Sequence, residues 1–194
     1  YMELRIRPYT ESRDYGYIER WIDDERMHAL WCANLIPYPV TPENLRSLLE
    51  KNAAEWADSA YIVTDSNGEN IGFFCYSVNT DENTGFLKFI IIDRDKRGMG
   101  YGREMLKLAL KHAFDITGVK LVRLNVFEEN AAAKHCYEKV GFVEESIVEN
   151  IFPYKNESWS RCLMVIHNGS DKFESLPVSP SPLTSRQDTD TAWE

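Results

Sequence analysis

The sequence predicts an α/β (α+β) domain: a mixed, mostly antiparallel sheet of six to seven strands flanked by helices. Three observations lead there. Short runs of β-branched and aromatic residues recur along the chain between turn residues. Two of them flank Ser66-Asn67-Gly68-Glu69, and Asn-Gly between β-rich runs is a strong hairpin signal. A third run, Phe86 to Ile92, passes through a glycine-rich loop into an amphipathic helix and then into another β-rich run. That is a βαβ unit, so its two strands are expected to be parallel with a right-handed crossover.

The elements follow in order. Residues 2–8 read as a strand, with Leu4 and Ile6 on one face. From Ser12 to Ala33 the spacing of Tyr17, Trp21 and Leu30 predicts one helix. Pro37, Pro39 and Pro42 force a loop, and Thr41-Pro42-Glu43-Asn44 is an N-cap with proline at the first helical position, opening a helix to Glu55. Strands are expected over 60–65, 70–78 and 86–92. The helix over 101–116 carries Met105, Leu106, Ala109, Leu110, Ala113 and Phe114 as one apolar stripe suited to packing on a sheet. Gly118 stops it, and Val119 to Phe127 is the next strand. Asn130 caps a short helix that Gly141 ends, and strands over 142–150 and 159–167 complete the sheet.

A length of 194 residues suits one domain with a tail: residues 1–168 form the domain, and the Pro/Ser-rich stretch 169–194 is expected to be poorly ordered. Cys32, Cys75, Cys136 and Cys162 are scattered with no C-x-x-C pair, which predicts free thiols in a reducing cytoplasm and no metal site. The net charge of −9 argues against nucleic-acid binding and suits cationic substrates. No apolar run is long enough for a membrane helix.

The chemistry concentrates in Arg97-Gly98-Met99-Gly100-Tyr101-Gly102-Arg103. Glycines between a strand and a helix start let backbone N–H groups approach a ligand, and the helix N-terminus adds partial positive charge, an arrangement that favours phosphate. It is neither a P-loop, because no lysine–hydroxyl pair follows Gly102, nor a dinucleotide fingerprint, because Arg103 stands where the third glycine belongs. What remains is R-x-x-G-x-G, followed 28 residues on by Asn130-Ala131-Ala132-Ala133-Lys134-His135-Cys136-Tyr137-Glu138-Lys139-Val140-Gly141-Phe142. Periodicity alone puts Tyr137 on a helix face with Ala133, Cys136 and Val140, a core position, and Asn130 is first of all an N-cap.

Together the two motifs resemble the GCN5-related N-acetyltransferase (GNAT) family, specifically over residues 86–142 and in element order over 2–167. The resemblance implies the GNAT fold, with a central splayed parallel pair that admits acetyl-coenzyme A. It implies that the backbone near Ile90 and Ile92 pairs with the pantetheine arm and that residues 97–103 grip the pyrophosphate. Asn125, Asn130, Ala133 and Tyr137 would line the cofactor, Tyr137 serving as the general acid for the departing thiolate. The implied activity is acetyl transfer to a primary amine of a small molecule by direct attack in a ternary complex. Transfer to a peptide N-terminus and a non-catalytic acyl-CoA sensor are the alternatives, and a homodimer is expected by analogy alone.

One part of the family pattern is missing. Many members carry a glutamate on the strand before the glycine loop, whereas residues 86–92 contain no carboxylate and Phe86 takes that place. Glu128 and Glu129 are nearest by topology but read first as solvated loop charges. Asp23, Asp24 and Glu25, with Trp21, Trp31, Tyr38 and Trp56, would suit a cationic acceptor or simply fill a core. His112 is expected to face solvent.

Overall fold

A computed structural model describes residues 2–170 and Phe173; the tail over 174–194 lies outside the described residues. Seven strands form one sheet: β1 (Arg5–Pro8), β2 (Ser59–Thr64), β3 (Asn70–Asn79), β4 (Thr84–Ile92), β5 (Leu121–Phe127), β6 (Val143–Tyr154) and β7 (Glu157–His167). The order across the sheet is β1-β2-β3-β4-β5-β7-β6. Among the described residues only β4 and β5 run parallel; every other pair is antiparallel. No helix among the described residues is long and apolar enough to cross a membrane.

The helices are α1 (Glu11–Trp21), α2 (Glu25–Cys32), α3 (Pro42–Trp56), α4 (Tyr101–Lys111) and α5 (Ala131–Val140). The single helix expected over 12–33 is two. Asp24 turns to extended backbone and its carboxylate accepts from the Met27 N–H at 2.7 Å, starting α2 afresh. Asp23-Asp24-Glu25 was thus an N-cap signal inside an apparently continuous period. The capping box before α3 is present as the sequence suggests: Thr41 Oγ1 accepts from Asn44 N–H, and Asn44 Oδ1 accepts from Thr41 N–H. The stripe expected over 101–116 is buried, but α4 ends at Lys111 and a π-helical turn, His112–Ile116, carries Ala113 and Phe114 inward. That turn moves His112 off the solvent face. Its ring lies 5.6 Å from Tyr61 and 5.8 Å from Tyr76, and burial pushes its pKa down.

The sheet is covered on both faces. On one, α4 and α5 pack Leu106, Leu110 and Val140 on Phe74, Leu87, Val122 and Leu124. The approach is close at Gly72, where a Cβ would stand 2.6 Å from Met105 Sδ and 2.8 Å from Ile91 O. On the other face, α1 to α3 pack Ile18, Trp21, Trp31 and Leu45 on Ile62, Phe73, Cys75 and Ile91. A third cluster joins Ala29 of α2 to Phe127, Tyr154 and Trp159 at the far end of β5 and β7.

Three distant segments meet on one carboxylate. Asp14 in α1 is fully buried; it accepts from both Arg7 nitrogens at 2.8 and 2.7 Å, from Asn70 Nδ2 at 3.1 Å and from the Thr10 N–H at 2.8 Å. Burial alone would raise its pKa, but the bonds from Arg7, Thr10 and Asn70 outweigh that and hold it below the ordinary carboxylate value. A depressed folded-state value stabilises the fold above the unfolded pKa of about 4 and is lost as pH falls through the folded value. Asp14→Asn is therefore expected to cost about 3 kcal/mol at pH 7, within the range for breaking a buried pair. Thermal melts should show the gap to wild type narrowing as pH drops below about 4.

Candidate active site

The parallel pair opens partway along its length. β4 and β5 are paired only from Thr84 with Leu121 to Leu87 with Leu124. Beyond that point β4 continues along β3 and β5 continues along β7, so the edges over 88–92 and 125–127 face each other across a gap. A bulge produces the divergence. The β3–β4 register shifts between Phe73 and Cys75, and Phe89 sits at φ 52°, a left-handed conformation unfavourable for an aromatic residue. Trp31 of α2 donates its indole N–H to the Phe89 carbonyl at 2.9 Å and packs on the Phe89 ring, which holds the bulge. The Asp93 N–H donates to Ile71 O, so Ile91 and Asp93 turn their backbone groups toward β3. By strand alternation Ile90 and Ile92 turn theirs into the gap.

The glycine loop stands at the mouth. After a 3₁₀ turn over Arg94–Lys96, Gly98 (φ 75°) and Gly100 (φ 89°) take left-handed conformations, and Gly100 is the N-cap of α4. No side chain caps α4. The N–H groups of Tyr101, Gly102 and Arg103 thus form the positive pole of the helix without a side-chain oxygen across them. The Arg103 and Met99 side chains are exposed. Arg97 donates to Ile92 O at 3.1 Å and to Trp21 O at 2.9 Å, bracing the loop against β4 and α1. What the loop offers an anionic ligand is consequently backbone N–H groups and the helix pole.

On the β5 side, Asn125 is exposed on the gap edge, and Asn130 accepts from the Ala133 N–H at 3.4 Å as the cap of α5. Tyr137 is 7% exposed with its ring edge-on to Phe142. Its hydroxyl enters none of the described hydrogen bonds, and burial raises its pKa well above the ordinary phenol value, so it stays protonated at neutral pH. Tyr137 thus sits in the core, as its helix periodicity predicts.

The acidic residues around the mouth are mostly engaged. Asp23 pairs with Arg94 at 2.5 Å, Asp24 caps α2, and Glu25 pairs with Lys155 at 2.9 Å. Lys134 pairs with both Glu128 and Glu144. Those two carboxylates and Cys162 lie within metal-chelating reach of one another, but the Lys134 ammonium already pairs with both carboxylates. Glu129 is not a solvated loop charge: its Oε2 is buried without a hydrogen-bond partner. Trp21 and Trp31 belong to the core, whereas Tyr38 and Trp56 are exposed. Sequence reasoning named Trp31 only as an acceptor-side or core residue and missed its hold on Phe89, because a bulge leaves no mark in a largely apolar run.

The sequence pattern of the Acetyltransferase (GNAT) family matches residues 24–142. Spermidine N(1)-acetyltransferase from Vibrio cholerae is 29% identical over 152 residues, covering 77% of this chain and 85% of that protein. Mycothiol acetyltransferase from Streptomyces coelicolor is 32% identical over 99 residues, covering 50% of this chain but only 32% of that longer protein. Among solved structures, spermidine N-acetyltransferase from Vibrio cholerae in complex with CoA and spermine superposes with a TM-score of 0.73 at 25% identity, over 86% of this chain and 96% of that one.

The loop geometry makes a direct prediction. Gly100→Ala puts a Cβ on a left-handed residue at about 1–2 kcal/mol. Calorimetric titration should show the coenzyme A dissociation constant rising about tenfold, with a melting temperature only a few degrees lower.

Proposed function

This chain belongs to the acetyltransferase (GNAT) family, and on that premise we propose that it acetylates a primary amine of a small polyamine-class acceptor. It is an acetyl-CoA-dependent N-acetyltransferase. The observation that carries the reading is the gap between β4 and β5 beyond Leu87 and Leu124, with an uncapped helix N-terminus at its mouth. In this reading the N–H groups of residues 98–103 hold the pyrophosphate. The backbone of Ile90 and Ile92 pairs with the pantetheine arm as an added strand. Asn125, Asn130 and Ala133 line the opposite wall. Bound there, acetyl-CoA supplies an activated acyl carbon to an amine approaching from the α2 side.

Tyr137 is the general acid. Its burial keeps the hydroxyl protonated, and its lack of a partner leaves the proton available to the departing sulfur. A polyamine acceptor is supported by the Vibrio cholerae relative and by the net charge of −9. A peptide N-terminus is disfavoured by the β6–β7 hairpin, which is tied to α2 through Arg26–Glu157 at 2.5 Å and Lys155–Glu25 at 2.9 Å. Four free thiols and the absence of any disulfide among the described residues suit a reducing cytoplasm.

Thiol release from acetyl-CoA with spermidine is expected for the wild type. Tyr137→Phe should lower kcat about a hundredfold while leaving coenzyme A affinity within twofold, since the hydroxyl acts only as sulfur departs. Coenzyme A binding without thiol release across spermidine, spermine and other primary amines would identify a sensor instead.

A further inference from the structure

Coenzyme A carries two kinds of phosphate: the pyrophosphate, which the reading above sets at the α4 pole, and a phosphomonoester on the ribose 3′ oxygen. Backbone N–H groups of the glycine loop answer the first. The second is a separate anion one sugar ring away, and a protein with a net charge of −9 repels it unless local cations offset that field. The basic side chains of the loop itself are committed. Arg97 is spent on the Ile92 and Trp21 carbonyls, Arg94 pairs with Asp23, and Lys96 lies 3.9 Å from Glu69 and over the Tyr101 ring. Along α4 and α5, Lys107 pairs with Glu104, Lys111 with Asp115, and Lys134 with Glu128 and Glu144.

Arg103 and Lys139 are the exceptions. Arg103 stands in the first turn of α4 and Lys139 in the last turn of α5. Both are exposed, and neither side chain enters an ion pair or hydrogen bond among the described residues. The packing of the two helices brings them to one place. A Cβ on Gly102 would stand 3.5 Å from Cys136 Sγ, so the first turn of α4 lies against the middle of α5. Arg103 follows Gly102 directly, and Lys139 lies three residues after Cys136, hence on the same side of α5. The Cys136 thiol feels both: burial raises its pKa, and the positive charges of Arg103 and Lys139 act against that rise. Two like charges gathered at one contact repel each other, and an anion bound between them turns that repulsion into attraction.

We propose that Arg103 and Lys139 together hold the 3′-phosphate of coenzyme A and make this chain select coenzyme A over its 3′-dephospho form. The assignment rests on the acetyl-CoA reading above. Arg103 brings a planar guanidinium fork suited to bidentate phosphate contact, and Lys139 adds a point charge on a flexible stem. The loop N–H groups recognise the pyrophosphate that both forms share. The two side chains recognise the group that distinguishes them.

The experiment is calorimetric titration of coenzyme A and of 3′-dephospho-coenzyme A against the wild type, Lys139→Gln and the Arg103→Gln/Lys139→Gln double variant. The readout is the ratio of the two affinities, which a general loss of fold or of the helix pole leaves unchanged because both ligands carry the pyrophosphate. The wild type is expected to prefer coenzyme A by about tenfold or more, the worth of one charge-assisted hydrogen bond. The preference should shrink as salt rises, since the contacts are exposed. A fall in the ratio of about fivefold or more in the double variant supports the assignment. A smaller fall, or a wild type that barely distinguishes the two ligands, overturns it and leaves the acetyl-CoA reading intact. Should the double variant bind neither ligand, Lys139→Gln decides: a fall of about threefold or more supports the role and a smaller one overturns it. A wild type that binds neither form overturns the functional reading and this assignment together.

Discussion

One backbone distortion organises this molecule. Phe89 sits in a left-handed bulge at φ 52°, held by the Trp31 indole on its carbonyl. Such a conformation costs an aromatic residue about 1–2 kcal/mol and persists only where its surroundings determine it. Its consequence is geometric. A parallel pair that would otherwise run the length of β4 closes after four residue pairs, and the Ile90 backbone and the Ile92 N–H are turned away from β3 toward the gap, the Ile92 carbonyl being held by Arg97. Unpaired strand edges inside a sheet are normally avoided, because their N–H and C=O groups need partners. In the proposed reading the missing partner is a ligand arm that mimics a strand.

The rest of the site answers to that opening. α2 touches both walls: Trp31 anchors it to β4, and Ala29 packs with Phe127, Tyr154 and Trp159 at the end of β5 and β7. The helix therefore fixes the gap and limits approach from the acceptor side. The glycine loop lies where β4 ends, so in the proposed reading the positive pole of α4 would meet the charged end of a ligand whose arm lies along the strand. Arg97 ties Ile92 and Trp21 together through their carbonyl oxygens and so braces the loop. In the proposed reading a cationic acceptor also suits a protein with a net charge of −9.

Much of this was legible in the sequence, and the reasons are local. The hairpin at Asn67-Gly68, the box at Thr41-Pro42-Glu43-Asn44 and the caps at Asn130 and Gly141 are decided by a few neighbouring residues, and each stands where expected. The paired motifs around Gly100 and Tyr137 gave the family, the sheet and the transferred group because glycine conformation and helix spacing are written in residue type. What failed depended on tertiary contacts. A three-residue break at Ile22 to Asp24 preserves the helical period on either side, so α1 and α2 read as one helix. His112 left the solvent face because a π-helical turn inserts an extra residue after Lys111. The bulge at Phe89 is invisible within an apolar run, and the solitude of Glu129 Oε2 depends on where β7 lies.

The central claim is that the open edge of β4 receives the pantetheine arm as an added strand. Amide hydrogen exchange, read residue by residue with and without coenzyme A, tests it most directly. The account predicts strong added protection at Ile90 and Ile92 and at residues 98–103, with the exposed edge of β6 exchanging as before. Coenzyme A binding that leaves the Ile90 and Ile92 amides exchanging at their free rate would contradict it.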